Sequence, residues 1–380
     1  MRIFVRHYWG KMLSNSGRIV SGGLLLVCLI PLFGLIGLTA CGTSVPSSST
    51  QSTTGKTKLV VFEADSLMVP FARIEKEFEQ QNPDIDVEMQ AHGSIQVIRQ
   101  VTELGQDVDV VAVADFSLIP MLMYATKMAD GKPYADWYIK PATNTMVLAY
   151  TPQSKYAGEL TADNWYQIVS RTDVRFGLAD PRMDAVGYRT LMTDILAESY
   201  YQKGNIMRDM VGSSFSIPIT ASTQNGITTV TVPELLEPSN NHMYLRGANM
   251  QLLALLESGD VDYTFDYKSV VLQHNLKYLE LPPEINLGDA RFAETYSKVV
   301  VKLDFRRFKT VEPVFEGLPI GYGLAIANNS KHQQEAVKFL QFLLGPTGQG
   351  IFKECSHPEL VPPESDNVNA LPEALKLFFH

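Results

Sequence analysis

Four short stretches hold residue types that could grip a small anion. Asp65-Ser66 stands at the exit of the apolar run KLVVFEA, with an amphipathic segment directly behind it. Gly93-Ser94 stands at the exit of PDIDVEMQAHG, again ahead of an amphipathic segment. Asp184 lies in the polar turn DPRMDAVGYRT, just before a further helical segment, and Asp266-Tyr267 closes the run VDYTFDY. A helix N-terminus offers free backbone N–H groups and the positive end of its dipole. A serine placed there adds a neutral O–H donor, and two such ends meeting in one crevice make a cage for an anion. Capping accounts for either serine alone, because Ser starts helices in proteins of every kind. The matching positions of the pair argue for a site. Asp184 by itself reads as an N-terminal acid favoured by the dipole.

The elements that must position these residues alternate strand and helix. KLVVFEA reads as a strand, and the helix after it buries Phe71, Ile74 and Phe78 at spacings of three and four. Pro70 falls in that helix's first turn, where it costs little. Ile85, Val87 and Met89 alternate along a second strand. Ile95, Ile98, Val101 and Leu104 share one side of a second helix. VDVVAVAD is apolar almost throughout, as a strand covered on both faces must be. The βαβαβ order implies a parallel sheet with right-handed crossovers, whose strand exits line a ligand crevice. Further on, GLPIGYGLAIANNSKHQQEAVKFLQFLLGPTGQGIF gives a strand and a helix burying Ala336, Phe339, Leu340 and Leu343, ended by Gly345-Pro346. Residues 203–245 carry little periodic signal.

Residues 1–40 read as a lipoprotein signal peptide rather than as fold. Arg2, Arg6, Lys11 and Arg18 form a basic leader with no acidic residue, followed by the uncharged run IVSGGLLLVCLIPLFGLIGLTAC. That run is long enough to span a bilayer, so a permanent anchor is the plainer alternative. LTAC, Leu38 to Cys41, resembles a lipobox, where a bacterial lipoprotein is cleaved ahead of a cysteine that receives lipid. The Ser/Thr/Gly-rich stretch 41–57 reads as a flexible tether. The expectation is an extracytoplasmic protein held to the cell membrane by lipid on Cys41. Cleavage leaves 28 basic against 41 acidic residues, a net charge of −13, which excludes a nucleic-acid binder that depends on a basic surface. Cys28 leaves with the leader, so Cys355 is the one thiol not otherwise assigned, and neither a disulfide nor a cysteine metal cluster is expected. No G-x-S-x-G, H-E-x-x-H or Walker A sequence occurs, and His92, His242, His274, His332, His357 and His380 are scattered. Neither catalysis nor a cofactor is expected.

The segments FEADSLMVPFARIEKEFEQQNPDIDVEMQAHGS, TELGQDVDVVAVADFSLIP, YADWYIKPATNTMVLAYT, FGLADPRMDAVGYRT, SGDVDYTFDYKSVVLQHNLKYLELPPEI and GQGIFKECSHPELVPP together resemble the tungstate/molybdate-binding proteins of ABC transporters. These belong to the two-lobed (type II) periplasmic binding proteins. The resemblance runs from Lys58 to about Leu377, apart from insertions near 125–132 and 203–245. It implies an α/β fold of two lobes with a ligand cleft between them. Residues 58–146 would form the first part of lobe 1, 147–317 lobe 2, and 318–380 the return to lobe 1 with the C-terminal helices. It also implies a receptor that hands tungstate or molybdate to a permease and an ATPase on separate chains.

Carried over residue by residue, the family's Gly-Ser turn falls on Asp65 and Ser66, and its second serine on Ser94. The acid of the DDPCGYR-like turn falls on Asp184, with Ala185 and Val186 offering backbone N–H groups. The acid of the FEYRS-like strand falls on Asp266, beside Tyr267. The chain departs from the family in carrying Asp65 for Gly and Asp266 for Glu. Two carboxylates near a dianion repel it by several kcal/mol at an effective dielectric of about 20. The resemblance supplies a reason for them: tungsten and molybdenum can expand to six-fold coordination, so Asp184 and Asp266 would bind the metal atom directly as hard oxygen ligands. Sulfur and phosphorus do not expand in this way, and the same acids would repel sulfate. A receptor for sulfate or phosphate is the nearer alternative; a lipid-anchored enzyme or adhesin is the more distant one.

Overall fold

The computed structural model describes residues 55–304 and 313–379. Residues 1–54, where a signal peptide, the lipid-bearing Cys41 and a tether are expected, lie outside the described residues. Among the described residues, no helix is long and apolar enough to cross a membrane.

The first strand, β1 (Thr57–Ala64), runs into a tight 3-10 turn, Asp65–Leu67, and then into α1 (Met68–Gln81). β2 (Ile85–His92), α2 (Ser94–Thr102) and β3 (Val110–Val113) follow, and β1 pairs in parallel with both β2 and β3. Phe71, Ile74 and Phe78 of α1 are fully buried. Ile95, Ile98 and Val101 of α2 are buried too, but Leu104 is 68% exposed. The helix ends two residues before Leu104, and Gly105 at φ 65° turns the chain outward. All four residues of β3 are buried.

β4 (Ile139–Ala142) leads across to β5 (Met146–Tyr150), which opens a second sheet with β6 (Phe176–Ala179). α3 (Ala185–Tyr201) follows β6. The stretch with little periodic signal then forms a hairpin, β7 (Thr220–Gln224) and β8 (Ile227–Val232), and the strand β9 (Met243–Arg246). β7 reads TASTQ and is exposed at every position, so it has no apolar face to display in sequence. The local clue is Asn225-Gly226, with φ of 51° and 80°, the backbone that tight hairpin turns require. α4 (Asn249–Ser258), β10 (Tyr263–Tyr267) and β11 (Lys277–Glu280) complete a sheet ordered β11–β5–β10–β6–β9. β12 (Val299–Leu303) and β13 (Val314–Glu316) join the hairpin in a third sheet, β13–β12–β8–β7.

The chain then crosses back to β14 (Gly323–Ile326), α5 (Gln333–Leu344), α6 (Pro346–Glu354) and β15 (Glu359–Ser365). The first sheet is therefore ordered β15–β4–β14–β3–β1–β2. Phe78 of α1 packs edge-on against Phe339 of α5 at 5.3 Å, joining the two ends of the chain in one core. Ala336, Phe339, Leu340 and Leu343 are all buried, and Cys355 is a buried free thiol. The two passages between the lobes are tied together by Asn144, whose Nδ2 donates to the Tyr322 hydroxyl at 2.8 Å and to Ser269 Oγ at 2.7 Å.

Candidate functional site

Four helix N-termini open on one small space between the lobes. From the first lobe, Asp65 and Ser66 contribute at the turn into α1, and Gly93 and Ser94 at the start of α2. From the second, Asp184 and Val186 contribute at the start of α3, and Asn249 at the start of α4. Ala64, Ala114 and Tyr267 complete the wall around about 170 Å³ of empty volume, mouth included. A space of that size excludes a peptide or a sugar chain.

Neither serine caps its helix. Ser94 Oγ accepts from Ala114 N–H at 2.9 Å, so its own O–H is left to donate. Ser66 is 4% exposed, and its Oγ makes no hydrogen bond among the described residues. The Tyr322 hydroxyl lies close enough to feel it. Capping therefore fails as an account of this pair: neither hydroxyl is spent on its own helix.

Asp184 does cap. Its Oδ1 accepts from Val186 N–H at 2.8 Å, and its Oδ2 from Asn249 N–H at 3.1 Å. The expectation that Val186 offers a free N–H is corrected by this bond: the helix start satisfies its own donor with its own cap. Val186 lines the space as a wall. Ala185 opens α3 and is buried, and its N–H has no partner among the described residues.

Asp266 is fully buried and stands just behind the wall. Its Oδ1 accepts from Asn249 Nδ2 at 2.9 Å and from Tyr267 N–H at 2.6 Å. Its Oδ2 has no hydrogen-bond partner among the described residues. Tyr267 lines the space, and its hydroxyl accepts from Arg189 Nη1, which leaves the phenolic proton available. The structure thus brings Asp65, Ser66, Ser94, Asp184, Val186 and Tyr267 to the wall of one space; Ala185 and Asp266 do not line it, and Asp266 adjoins it through its bonds from Asn249 and Tyr267.

Asn249 was missed from sequence, and it holds both acids at once, Asp184 through its backbone and Asp266 through its side chain. The signal that marks the serines was there, a helix starting at a strand exit. It went unread because β9 lies in the stretch of weak periodicity.

Burial raises all three carboxyls. Asp65 is pushed up to about 7, and the neighbouring Asp184 adds like charge. Asp184 rises to about 6, with the Val186 and Asn249 bonds and the Arg189 charge pulling it back. Asp266 rises to about 7 in spite of its bonds from Asn249 and Tyr267, with Asp184 and Asp65 adding to the rise. These groups titrate as a set. Asp65 is a third acid at this space.

Close approach of the lobes depends on a glycine. A Cβ on Gly93 would sit 2.6 Å from the Met183 carbonyl oxygen of the opposite lobe, well inside contact distance. Beside it, Ile95 N–H donates to the same carbonyl at 3.2 Å.

Residues 59–354 match the family model described as bacterial extracellular solute-binding protein. The chain belongs to this solute-binding family. Relatives extend the match over nearly the full length of this solute-binding protein. One from Petrotoga mobilis, itself called an uncharacterized solute-binding protein, is 38% identical over 322 residues, 84% of this chain and 89% of that one. The molybdate/tungstate-binding protein WtpA of Pyrococcus abyssi is 37% identical over 361 residues, 93% of this chain and 97% of that protein. Among solved structures, the sulfate-binding protein SubI of Mycobacterium tuberculosis covers 80% of this chain and 87% of its own at a TM-score of 0.50. At 14% identity that likeness concerns the fold, two α/β lobes.

Proposed function

We propose that this protein is an extracytoplasmic receptor that binds tungstate or molybdate and delivers it to an ABC permease and ATPase carried on separate chains. The observation that carries the reading is Asp266 Oδ2: a fully buried carboxylate oxygen with no partner among the described residues, beside neutral donors and a second buried carboxylate. A buried, unpaired charge is costly, and a metal atom able to accept further oxygen ligands offsets that cost. Ser66, Ser94, Tyr267 and the Ala185 N–H would hold the oxyanion's oxygens, while Asp184 and Asp266 would ligate the metal atom. The relatives named for molybdate and tungstate support the same ligand class.

Titration of the purified protein with tungstate, molybdate, sulfate and phosphate in one buffer tests the reading. Tungstate or molybdate at 100 times its Kd is expected to raise stability by about 2.7 kcal/mol. A response to sulfate or phosphate alone would replace this ligand assignment with the neighbouring one, and no response to any oxyanion would remove it. In the same titration, Ser66→Ala and Ser94→Ala are each expected to weaken binding by about 1–3 kcal/mol, the value of a hydrogen bond to a charged group. Because neither serine caps a helix, ligand-free stability is expected to fall less than affinity. Equal losses in both would show the hydroxyls to be structural.

We also propose attachment to the membrane through lipid on Cys41. The mature chain is then expected to begin at Cys41 and to sediment with membranes. Cys41→Ser is expected to leave an uncleaved or released form. A mature N-terminus elsewhere, without lipid, would overturn this.

A further inference from the structure

Beside the anion space, a second cluster spans the two lobes. Asp115 follows β3 in the first lobe and is 4% exposed. Its Oδ1 is fixed locally by Ser117, accepting from the backbone N–H at 3.0 Å and the hydroxyl at 2.7 Å. Its Oδ2 faces the second lobe. There it accepts from the Tyr188 hydroxyl at 2.6 Å and pairs with Arg189 Nη2 at 3.3 Å. Both partners sit on α3, within its first turns and so directly behind the Asp184 cap. Tyr188 is fully buried, its ring stacked flat on Phe315 at 4.2 Å. Arg189 is 3% exposed and also donates to the Ala114 carbonyl of the first lobe at 2.7 Å. The N–H of Ala114 is the donor held by Ser94 Oγ. A continuous run of hydrogen bonds thus leads from an anion-facing serine, through Ala114, to a buried ion pair across the cleft.

We propose that Asp115 is a positioning residue for ligand capture: by holding Tyr188 and Arg189 across the cleft, it locks the lobes shut on the bound anion and sets how fast the anion leaves. Three features give the cluster this role. The ion pair has one partner on each lobe, so separating the lobes breaks it and staying closed preserves it. Its acid is held ready by Ser117 whether or not the lobes meet, which lowers the entropic cost of closing. Its bonds are charge-assisted and buried, where one lost partner leaves the other uncompensated. Apparent affinity scales with the fraction of protein in the competent, closed form, and loss of the lock is read as faster escape rather than slower entry.

The proposal takes from the receptor reading only its choice of probe. The experiment compares the unchanged protein with Asp115→Asn, Tyr188→Phe and the double variant. Tungstate association and dissociation rates are measured, and small-angle scattering gives the closed fraction with and without tungstate. Each single variant is expected to release tungstate about 10-fold to 100-fold faster, the worth of one or two charge-assisted hydrogen bonds, with association changed by less than about threefold. The double variant is expected to be less than additive, because both changes weaken the Tyr188–Asp115 hydrogen bond. Saturating tungstate is expected to restore the closed dimensions, which separates a lost lock from a misfolded chain. Unchanged dissociation rates would overturn the proposal, and so would additive losses accompanied by matching losses of ligand-free stability. If the unchanged protein fails to bind tungstate, the ligand assignment falls, and scattering without ligand decides the lock: a smaller closed fraction in Asp115→Asn upholds it, and an equal one overturns it.

Discussion

Asp184→Asn and Asp266→Asn are each expected to lower tungstate affinity by at least about 10-fold to 100-fold, the range for disturbing a metal site's supporting contacts, while sulfate stays weak or binds better. The sign of the tungstate change is the informative part. Both acids are buried, and both lie where like charge raises the cost of ionisation. If they contribute only negative charge, neutral Asn relieves repulsion and every dianion binds more tightly, tungstate included. If they ligate the metal atom, Asn removes an anionic oxygen from its shell and tungstate alone suffers. The two variants also differ in a useful way. Asp184 caps α3 and receives Asn249 N–H, so Asp184→Asn is expected to cost some ligand-free stability as well. Asp266 has one oxygen already held by Asn249 and Tyr267 and one with no partner. An Asn there can keep the held oxygen and turn its NH2 towards the Asp184 and Asp65 charges, so its ligand-free form is expected to be no less stable. Parallel titrations with tungstate and sulfate settle the matter, and tighter tungstate binding by both variants would refute direct coordination.

The second large effect concerns pH in the absence of ligand. Asp194, in the middle of α3, is fully buried, and neither of its carboxylate oxygens has a partner among the described residues. Burial holds its carboxyl well above the usual carboxylate range, with Glu198 adding like charge. Glu63 on β1 is raised in the same way by burial and by Asp65 and Glu75. A carboxyl raised on folding keeps its proton in the native chain after the unfolded chain has lost it, near pH 4. Its contribution to stability is whole below that point and is lost as pH rises through the native value, at about 1.4 kcal/mol per pH unit. Asp65, Asp184 and Asp266, raised to about 7, 6 and 7, act in the same direction. The ligand-free protein is therefore expected to be more stable at pH 5 than at pH 8. Asp194→Asn keeps the shape of the protonated acid and removes the ionisation. Its advantage over the unchanged protein is expected to be smaller at pH 5 than at pH 8, growing between them by up to about 1.4 kcal/mol per pH unit. Urea unfolding at both pH values measures this, and parallel curves for the two proteins would disprove it.

What the sequence determined by itself was local or periodic. The spacing of Phe71, Ile74 and Phe78 makes α1 amphipathic whatever surrounds it, and an apolar stretch such as VVAV must be covered on both faces. Ser66 and Ser94 stand out because each sits where a strand gives way to a helix, a place readable from the pattern on either side. Residues 220–224 escaped because a strand exposed on every side needs no apolar alternation.

The tertiary structure alone decided which atoms remain available. Val186 N–H is consumed by the Asp184 cap, whereas the hydroxyls of Ser66 and Ser94 are left over. Asn249 enters the site by bonding acids 65 and 17 positions away, and Asp115 meets Tyr188 and Arg189 across more than 70 residues. Periodicity carries no record of such pairings, because a hydrogen bond has two ends and the sequence shows the chemistry of each end without the distance between them. Folding the two lobes together sets that distance, and with it whether a carboxylate is satisfied, strained by like charge, or left with an oxygen to give to a ligand.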